Sequence, residues 1–273
     1  EDIAKHAGLA YEIYHQDYDK VPDAEKVAEI LDRDDTITHV SMVHSETTSG
    51  ILNNIEEVAN VVKDRNRIMI VDAMSSFGGV EIPVQDLGID FLISSANKCI
   101  QGVPGFSFII AKRDALNQTK GQARSLSLDL YDQWETMDKD GKWRFTSPTH
   151  TVLAFAKAME ELEEEGGIPA RSKRYYENNR EIIRRFKEMG LETYIDEEHQ
   201  GPIITTFFFP ENAGFTFSEM YEYIKDRGYA IYPGKVTEAE TFRIGNIGEI
   251  YKEDVDALCK IMKEFLEEKN HGK

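Results

Sequence analysis

Two stretches decide the fold: Ile68-Met-Ile-Val-Asp-Ala-Met-Ser-Ser-Phe-Gly-Gly79 and Asp90-Phe-Leu-Ile-Ser-Ser-Ala-Asn-Lys-Cys-Ile-Gln-Gly-Val-Pro-Gly105. Each opens on a short apolar run of β-forming residues and closes in a turn rich in small residues. Ile68–Val71 and Phe91–Ile93 therefore read as short buried strands. Asp72 directly follows the first, and Lys98 sits in the turn after the second. Working outward, Ile37–Val43 and Phe106–Ala111 read as further strands and Ala10–Tyr14 as a short one. Asp23–Leu31 is amphipathic, with Ala24, Val27, Ala28 and Leu31 on one face; Asn54–Lys63 places Ile55, Val58, Ala59 and Val62 inward. Strands alternating with helices predict a mainly parallel sheet, whose ligands lie beyond the carboxyl ends of the strands. Asp72 and Lys98 both lie at such ends.

An acid at one strand end and an amine at the next is the pairing that pyridoxal phosphate chemistry needs. The lysine forms the Schiff base, and the acid keeps the pyridine nitrogen protonated so that the ring draws electrons. The bland alternatives are a solvated surface lysine and an aspartate that only caps the turn Ala73–Ser76. Small, apolar neighbours of Lys98 (Ala96, Ile100, Gly102) argue against the first, and the two roles of Asp72 are compatible.

Composition bounds the rest. At 273 residues the chain suffices for one large or two ordinary domains, and its net charge of −18 argues against nucleic acid or an anionic membrane as partner. Cys99 and Cys259 make no disulfide framework, which fits a reducing cytoplasmic setting, and no apolar run is long enough to span a membrane. No histidine spacing suggests a metal site. Beyond Ser147-Pro-Thr-His150 the organisation changes. Thr151–Glu165 reads as a helix broken by Gly166-Gly167-Ile-Pro169, then Ala170–Met189 as another. Ile203–Phe209, Tyr229–Tyr232 and Thr241–Ile244 read as strands, and Ser218–Arg227 and Lys252–Lys269 as helices. This predicts a large domain over residues 1–168 and a smaller α+β domain over residues 169–273.

The runs His44-Ser-Glu-Thr-Thr-Ser-Gly50, Val71–Gly79, Ser94-Ser-Ala-Asn-Lys-Cys-Ile-Gln-Gly102, Ser125-Leu-Ser-Leu-Asp-Leu-Tyr131, Arg144-Phe-Thr-Ser-Pro-Thr-His150 and Phe242-Arg-Ile-Gly-Asn-Ile-Gly248 carry a specific likeness. Together they resemble the class V, fold-type-I pyridoxal phosphate aminotransferases, in particular the 2-aminoethylphosphonate:pyruvate group. The resemblance implies an α/β fold-type-I transferase with the two domains just described. It implies Lys98 as the cofactor-linked lysine and later proton shuttle, and Asp72 at the pyridine nitrogen. Thr48 resembles the residue whose hydroxyl reaches the phenolic oxygen, with a turn-capping threonine as the alternative. Asn97 is a candidate phosphate contact or a structural amide. Thr146 resembles the residue lent to the cofactor phosphate of a partner subunit, which implies a homodimer with shared sites. Arg243 resembles the clamp for the acidic end of the substrate, since a guanidinium grips a carboxylate bidentately; otherwise a buried arginine calls for a buried acid partner. Trp134 and Trp143 read as packing residues.

One departure accompanies the likeness. The Gly-Ser-Gly-Thr-like phosphate loop that such enzymes place near the N-terminus does not precede residue 44. The reading is therefore of a transaminase that moves the amino group of 2-aminoethylphosphonate to pyruvate, lacking its N-terminal segment. An alanine–glyoxylate type of class V enzyme and a cofactor-free scaffold are the alternatives.

Overall fold

The computed structural model describes residues 1–211, 213–236 and 238–271. A short helix α1 (Asp2–His6) is followed by α2 (Ala24–Arg33), β1 (His39–Val43), a two-rung hairpin of β2 (Ser45–Glu46) and β3 (Ile51–Leu52), α3 (Ile55–Asp64), β4 (Ile68–Asp72), β5 (Phe91–Ser95) and β6 (Ser107–Ala111). The four longer strands form one sheet in the order β1-β4-β5-β6; the first three run parallel and β6 is antiparallel. The sheet is thus mainly parallel, as the alternation of strands and helices predicts. Register brings Val43 level with Asp72, and Asp72 level with Ile93, so β1 and β4 end in one row and β5 runs on to Ser95.

The helices that cover this sheet follow the apolar periodicity. Asp23 caps α2 by accepting from the amides of Glu25 and Lys26. Val27 and Leu31 of α2 and Ile55, Val58, Ala59 and Val62 of α3 pack onto Met69, Val71 and Leu92 to form the first core. Ala10–Tyr14, expected as a strand, pairs with nothing and is mostly exposed; only the Tyr14 ring reaches that core. An alternating pattern becomes a strand only when a neighbour satisfies its backbone groups.

After α4 (Arg113–Gln118) comes α5 (Leu130–Asp140), capped by Asp129 and ended by left-handed Gly141. α6 (Thr149–Glu165) stops at Gly166, whose φ of +109° suits a residue without Cβ. α7 (Gly167–Glu188) starts earlier than expected, because Pro169 falls in its first turn, where no amide is needed. The remaining elements are β7 (Ile204–Phe208), α8 (Phe217–Lys225), β8 (Tyr232–Pro233), β9 (Thr241–Gly245) and α9 (Lys252–His271). β9 lies between β7 and β8 in an antiparallel sheet. Its core gathers Ile182 and Phe186 of α7, Phe207, Ile224, Phe242, and Val255, Met262 and Phe265 of α9. In place of the strand expected over Tyr229–Tyr232 the structure has Tyr232–Pro233, an edge strand, where proline's missing donor is tolerated.

Candidate active site

The carboxyl ends of β1, β4 and β5 converge on the turns that carry the candidate residues. The Asp72 carboxylate accepts from the Met74 amide at 2.9 Å, so the turn-capping role is real. Its backbone carbonyl accepts from the His44 amide at 2.8 Å, which ties the end of β4 to the chain leaving β1. The Asp72–Gly79 turn and the Lys98 turn lie directly against each other. Cys99 Sγ donates to the Ser75 carbonyl at 3.1 Å, and Ser94 Oγ to the Ala73 carbonyl at 3.4 Å. Gly79 permits this approach, because a Cβ there would meet Cys99 Sγ at 2.6 Å. Lys98 itself is exposed, whereas Ala96 and Cys99 beside it are fully buried. Burial pushes the Cys99 thiol up to about 12, which removes it as a nucleophile.

Arg243 of β9 is tied to the loop between β2 and β3. Arg243 is 5% exposed, and no carboxylate among the described residues pairs with it. Its Nε donates to the Pro233 carbonyl at 3.0 Å and its Nη1 to the Thr47 carbonyl at 2.8 Å. Burial lowers its pKa, while Tyr232 and Glu46 work in the opposite direction. An arginine held by carbonyls, with no acid among the described residues, keeps its charge uncompensated and so is open to an anionic ligand. Thr48 sits one residue along the same loop; its amide donates to Glu46 Oε1 at 2.8 Å, and its carbonyl accepts from Thr206 Oγ1 at 3.4 Å. The loop is fixed further by the Gly201 amide, which donates to the Gly50 carbonyl at 2.8 Å. Contacts therefore join Asp72 to the Lys98 turn, and separately join Thr48 to Arg243. His44 links the two groups along the chain.

Asn97 is half-buried beside Lys98, and Thr146 is exposed in the segment that leads into α6. That helix packs on the far side of the Lys98 turn, where a Cβ on Gly105 would meet Thr151 Oγ1 at 2.7 Å. Trp143 stacks edge-on against Phe106, and Trp134 against Tyr131. Among the described residues, no cluster of His, Cys, Asp and Glu is placed to hold a metal, and no helix is long and apolar enough to cross a membrane.

Sequence reasoning passed over His44 as a neighbour of the site. It is buried, its Nδ1 lies 2.9 Å from Ser76 Oγ, and burial pulls its pKa down to about 4. The signal was its place one residue past β1, whose last residue, Val43, is level with Asp72 once the parallel register is drawn.

The model of the class V aminotransferase family matches residues 1–258 of this sequence. The chain belongs to the class V aminotransferase family. The 2-aminoethylphosphonate–pyruvate transaminase of Lysinibacillus sphaericus is 57% identical over 99% of this chain and 74% of its own length. The corresponding transaminase of Bacillus cytotoxicus is 58% identical over 88% of this chain and 66% of its own length. The solved aspartate aminotransferase of Thermus thermophilus superposes with a TM-score of 0.85 at 25% identity, covering 98% of this chain and 74% of that one. The class V aminotransferase fold is thus the fold-type-I α/β architecture, and its cofactor is pyridoxal phosphate.

The residues present fit that cofactor. An amine at Lys98 and a carboxylate at Asp72 stand at adjoining strand ends. The hydroxyls of Ser45, Ser49 and Ser95, all buried near these ends, have no partner within the described residues. Buried hydroxyls left without a partner are costly in a merely structural region.

Proposed function

We propose that this class V aminotransferase transfers the amino group of 2-aminoethylphosphonate to pyruvate, giving phosphonoacetaldehyde and L-alanine. The observation that carries this reading is the buried Arg243, with no carboxylate partner among the described residues and bonded to the Thr47 carbonyl in the loop that follows β1, in a chain that sets Asp72 and Lys98 at adjoining strand ends. The named relatives support the amine and the acceptor. Bound at this site, pyridoxal phosphate supplies the electron sink for the pair released when the carbon bearing the substrate nitrogen loses its proton. Lys98 Nζ would hold the cofactor between turnovers and, once freed as an amine, move the proton from the substrate carbon to the cofactor carbon, and in the opposite direction in the half-reaction with the keto acid. The Asp72 carboxylate keeps the proton on the pyridine nitrogen. Thr48 and Asn97 would help to hold the cofactor, Thr48 on the ring side and Asn97 on the phosphate side. Arg243 anchors the acidic end of each substrate in turn, phosphonate or carboxylate.

In this reading Thr146 serves the phosphate site of a second copy, so the working unit is a homodimer. Its exposure in the isolated chain agrees with a role across an interface. We read residues 1–168 as the cofactor-binding domain and 169–273 as the smaller domain. The core formed within residues 182–265 supports that division. A cytoplasmic setting agrees with two buried cysteines that remain free thiols.

Borohydride reduction of the chain mixed with pyridoxal phosphate, followed by peptide mass mapping, tests the assignment. The expected result is one modified lysine, Lys98, absent in Lys98→Ala. Labelling of other lysines with Lys98 left unmodified would defeat it.

A further inference from the structure

Lys98, Asp72 and Arg243 sit on three separate segments, and one side chain touches the structure around all of them. Tyr175 of α7 is fully buried. Its hydroxyl accepts from Gln101 Nε2 at 2.6 Å, three residues past Lys98, and from the Gly248 amide at 3.2 Å, five residues past Arg243. Its ring lies against Gly79, where a Cβ would come within 2.7 Å of it, so it also contacts the turn that starts at Asp72. Its backbone carbonyl accepts from Asn246 Nδ2 at 3.1 Å, and that amide also donates to the Pro202 carbonyl at 2.8 Å. One turn earlier on the same helix, Arg171 Nη1 donates to the carbonyls of Cys99 at 2.9 Å and Ile100 at 3.2 Å.

This arrangement exceeds what packing alone needs. Gln101 adopts a φ of +66°, a left-handed conformation that a non-glycine residue keeps only when its surroundings hold it. The Gln101 amide donates to the Lys98 carbonyl and the Gly102 amide to the Ala96 carbonyl, both at 2.8 Å, so the shape of the lysine turn depends on that strained residue. Gln101 is fixed in turn by the Tyr175 hydroxyl.

We propose that Tyr175 is a positioning residue whose hydroxyl, shared by Gln101 and Gly248, sets the Lys98 turn in register with the Arg243–Gly248 segment. It touches no substrate; it fixes the distance between the amine that moves the proton and the guanidinium that holds the acid group. The catalytic meaning rests on the proposed function, whereas the mechanical coupling of the two segments stands without it.

Tyr175→Phe removes the hydroxyl and keeps the ring. The first readout needs no cofactor: amide hydrogen exchange in the full chain. Loss of the Gly248 acceptor speeds that amide directly. The proposal further requires the amides of Gln101 and Gly102 to exchange about fivefold to tenfold faster, the change that one lost buried hydrogen bond produces. Gln101→Asn keeps a residue tolerant of the left-handed backbone but shortens the amide arm, and it must speed exchange at Gly248. This variant carries the test alone if Tyr175→Phe does not fold. In cofactor-loaded protein, kcat/KM falls about tenfold for both 2-aminoethylphosphonate and pyruvate, since ångström-scale misplacement is felt strongly in such geometry. Exchange confined to the mutated side, or a lowered melting temperature with both kcat/KM values within twofold of the parent, would overturn it. Failure of the parent chain to label at Lys98 would instead sink the proposed function, leaving the exchange result to decide the coupling.

Discussion

Replacing Arg243 asks the most of the proposed chemistry. In the substrate-free chain its guanidinium spends Nε on Pro233 and Nη1 on Thr47, and no hydrogen bond from Nη2 is formed within the described residues. A substrate carboxylate or phosphonate arriving there gains two charge-assisted hydrogen bonds, each worth about 1.5–3 kcal/mol. Arg243→Gln removes both and the charge, so kcat/KM for pyruvate should fall by roughly 10²–10⁴. Arg243→Lys keeps the charge but not the planar fork, and its loss should be roughly 10–10². The same Gln variant also withdraws donors from the Pro233 and Thr47 carbonyls, so its unfolding free energy in urea titrations should drop by no more than about 3 kcal/mol. The assay is steady-state transamination with pyruvate varied and alanine measured, on protein whose cofactor loading is first matched to the parent by absorbance. Loading must survive, because Arg243 holds the substrate and not the cofactor. A Gln variant that loads normally and keeps kcat/KM within threefold of the parent would refute the clamp. Arg243 would then be a structural arginine satisfied by carbonyls alone.

Three further outcomes follow from particular contacts. The buried His44 is neutral in the fold at a pKa near 4 against 6.5 in an unfolded chain, so the unfolded state binds its proton first. Stability from this group is full above pH 6.5 and declines as pH falls toward 4, by roughly 3 kcal/mol in total; melting curves of the parent and His44→Gln should diverge across that window and run parallel above it. Glu165 receives Arg171 Nε at 2.7 Å and Arg174 Nε at 2.8 Å, and Arg171 is 1% exposed. Glu165→Gln strands that charge and should lower the unfolding free energy by about 3–5 kcal/mol in urea titrations. Phe207 is fully buried, with Phe186 at 4.8 Å and Phe242 at 5.6 Å between ring centroids. Phe207→Ala should cost roughly 3–5 kcal/mol by the same method, with no change in the absorbance of bound cofactor.

The parallel strands were readable because Ile68–Val71 and Phe91–Ile93 are short apolar runs with a chemically distinctive residue at each end. Helices α2 and α3 were readable from period, and the capping Asp23 marked the start of the former. Other elements were not readable for physical reasons. α5 buries no residue; Leu130, Trp134 and Met137 fall at helical spacing between the capping Asp129 and Gly141, but they join no core that would set the element apart. The β2–β3 hairpin is two residues per strand, too short for any alternation, and exists because Gly50 and Gly201 let it dock on the loop before β7. A Cβ at Gly50 would meet the Ile204 carbonyl at 2.7 Å, a constraint that no local pattern encodes. Asp72, Lys98 and Arg243 could be singled out as candidates from sequence because each combines a charged group with a small-residue turn. Tyr175 and His44 could not. A tyrosine and a histidine on buried faces look like core until their partners from distant segments are known.

The most direct measurement of the central claim is an absorbance spectrum. The chain is mixed with pyridoxal phosphate, excess cofactor is removed, and 2-aminoethylphosphonate is then added without pyruvate. The account predicts a long-wavelength band of lysine-bound cofactor that bleaches on addition of the amine and returns when pyruvate follows, with neither change in Lys98→Ala. A folded chain that forms the band but is bleached by alanine, and not by 2-aminoethylphosphonate, would contradict it.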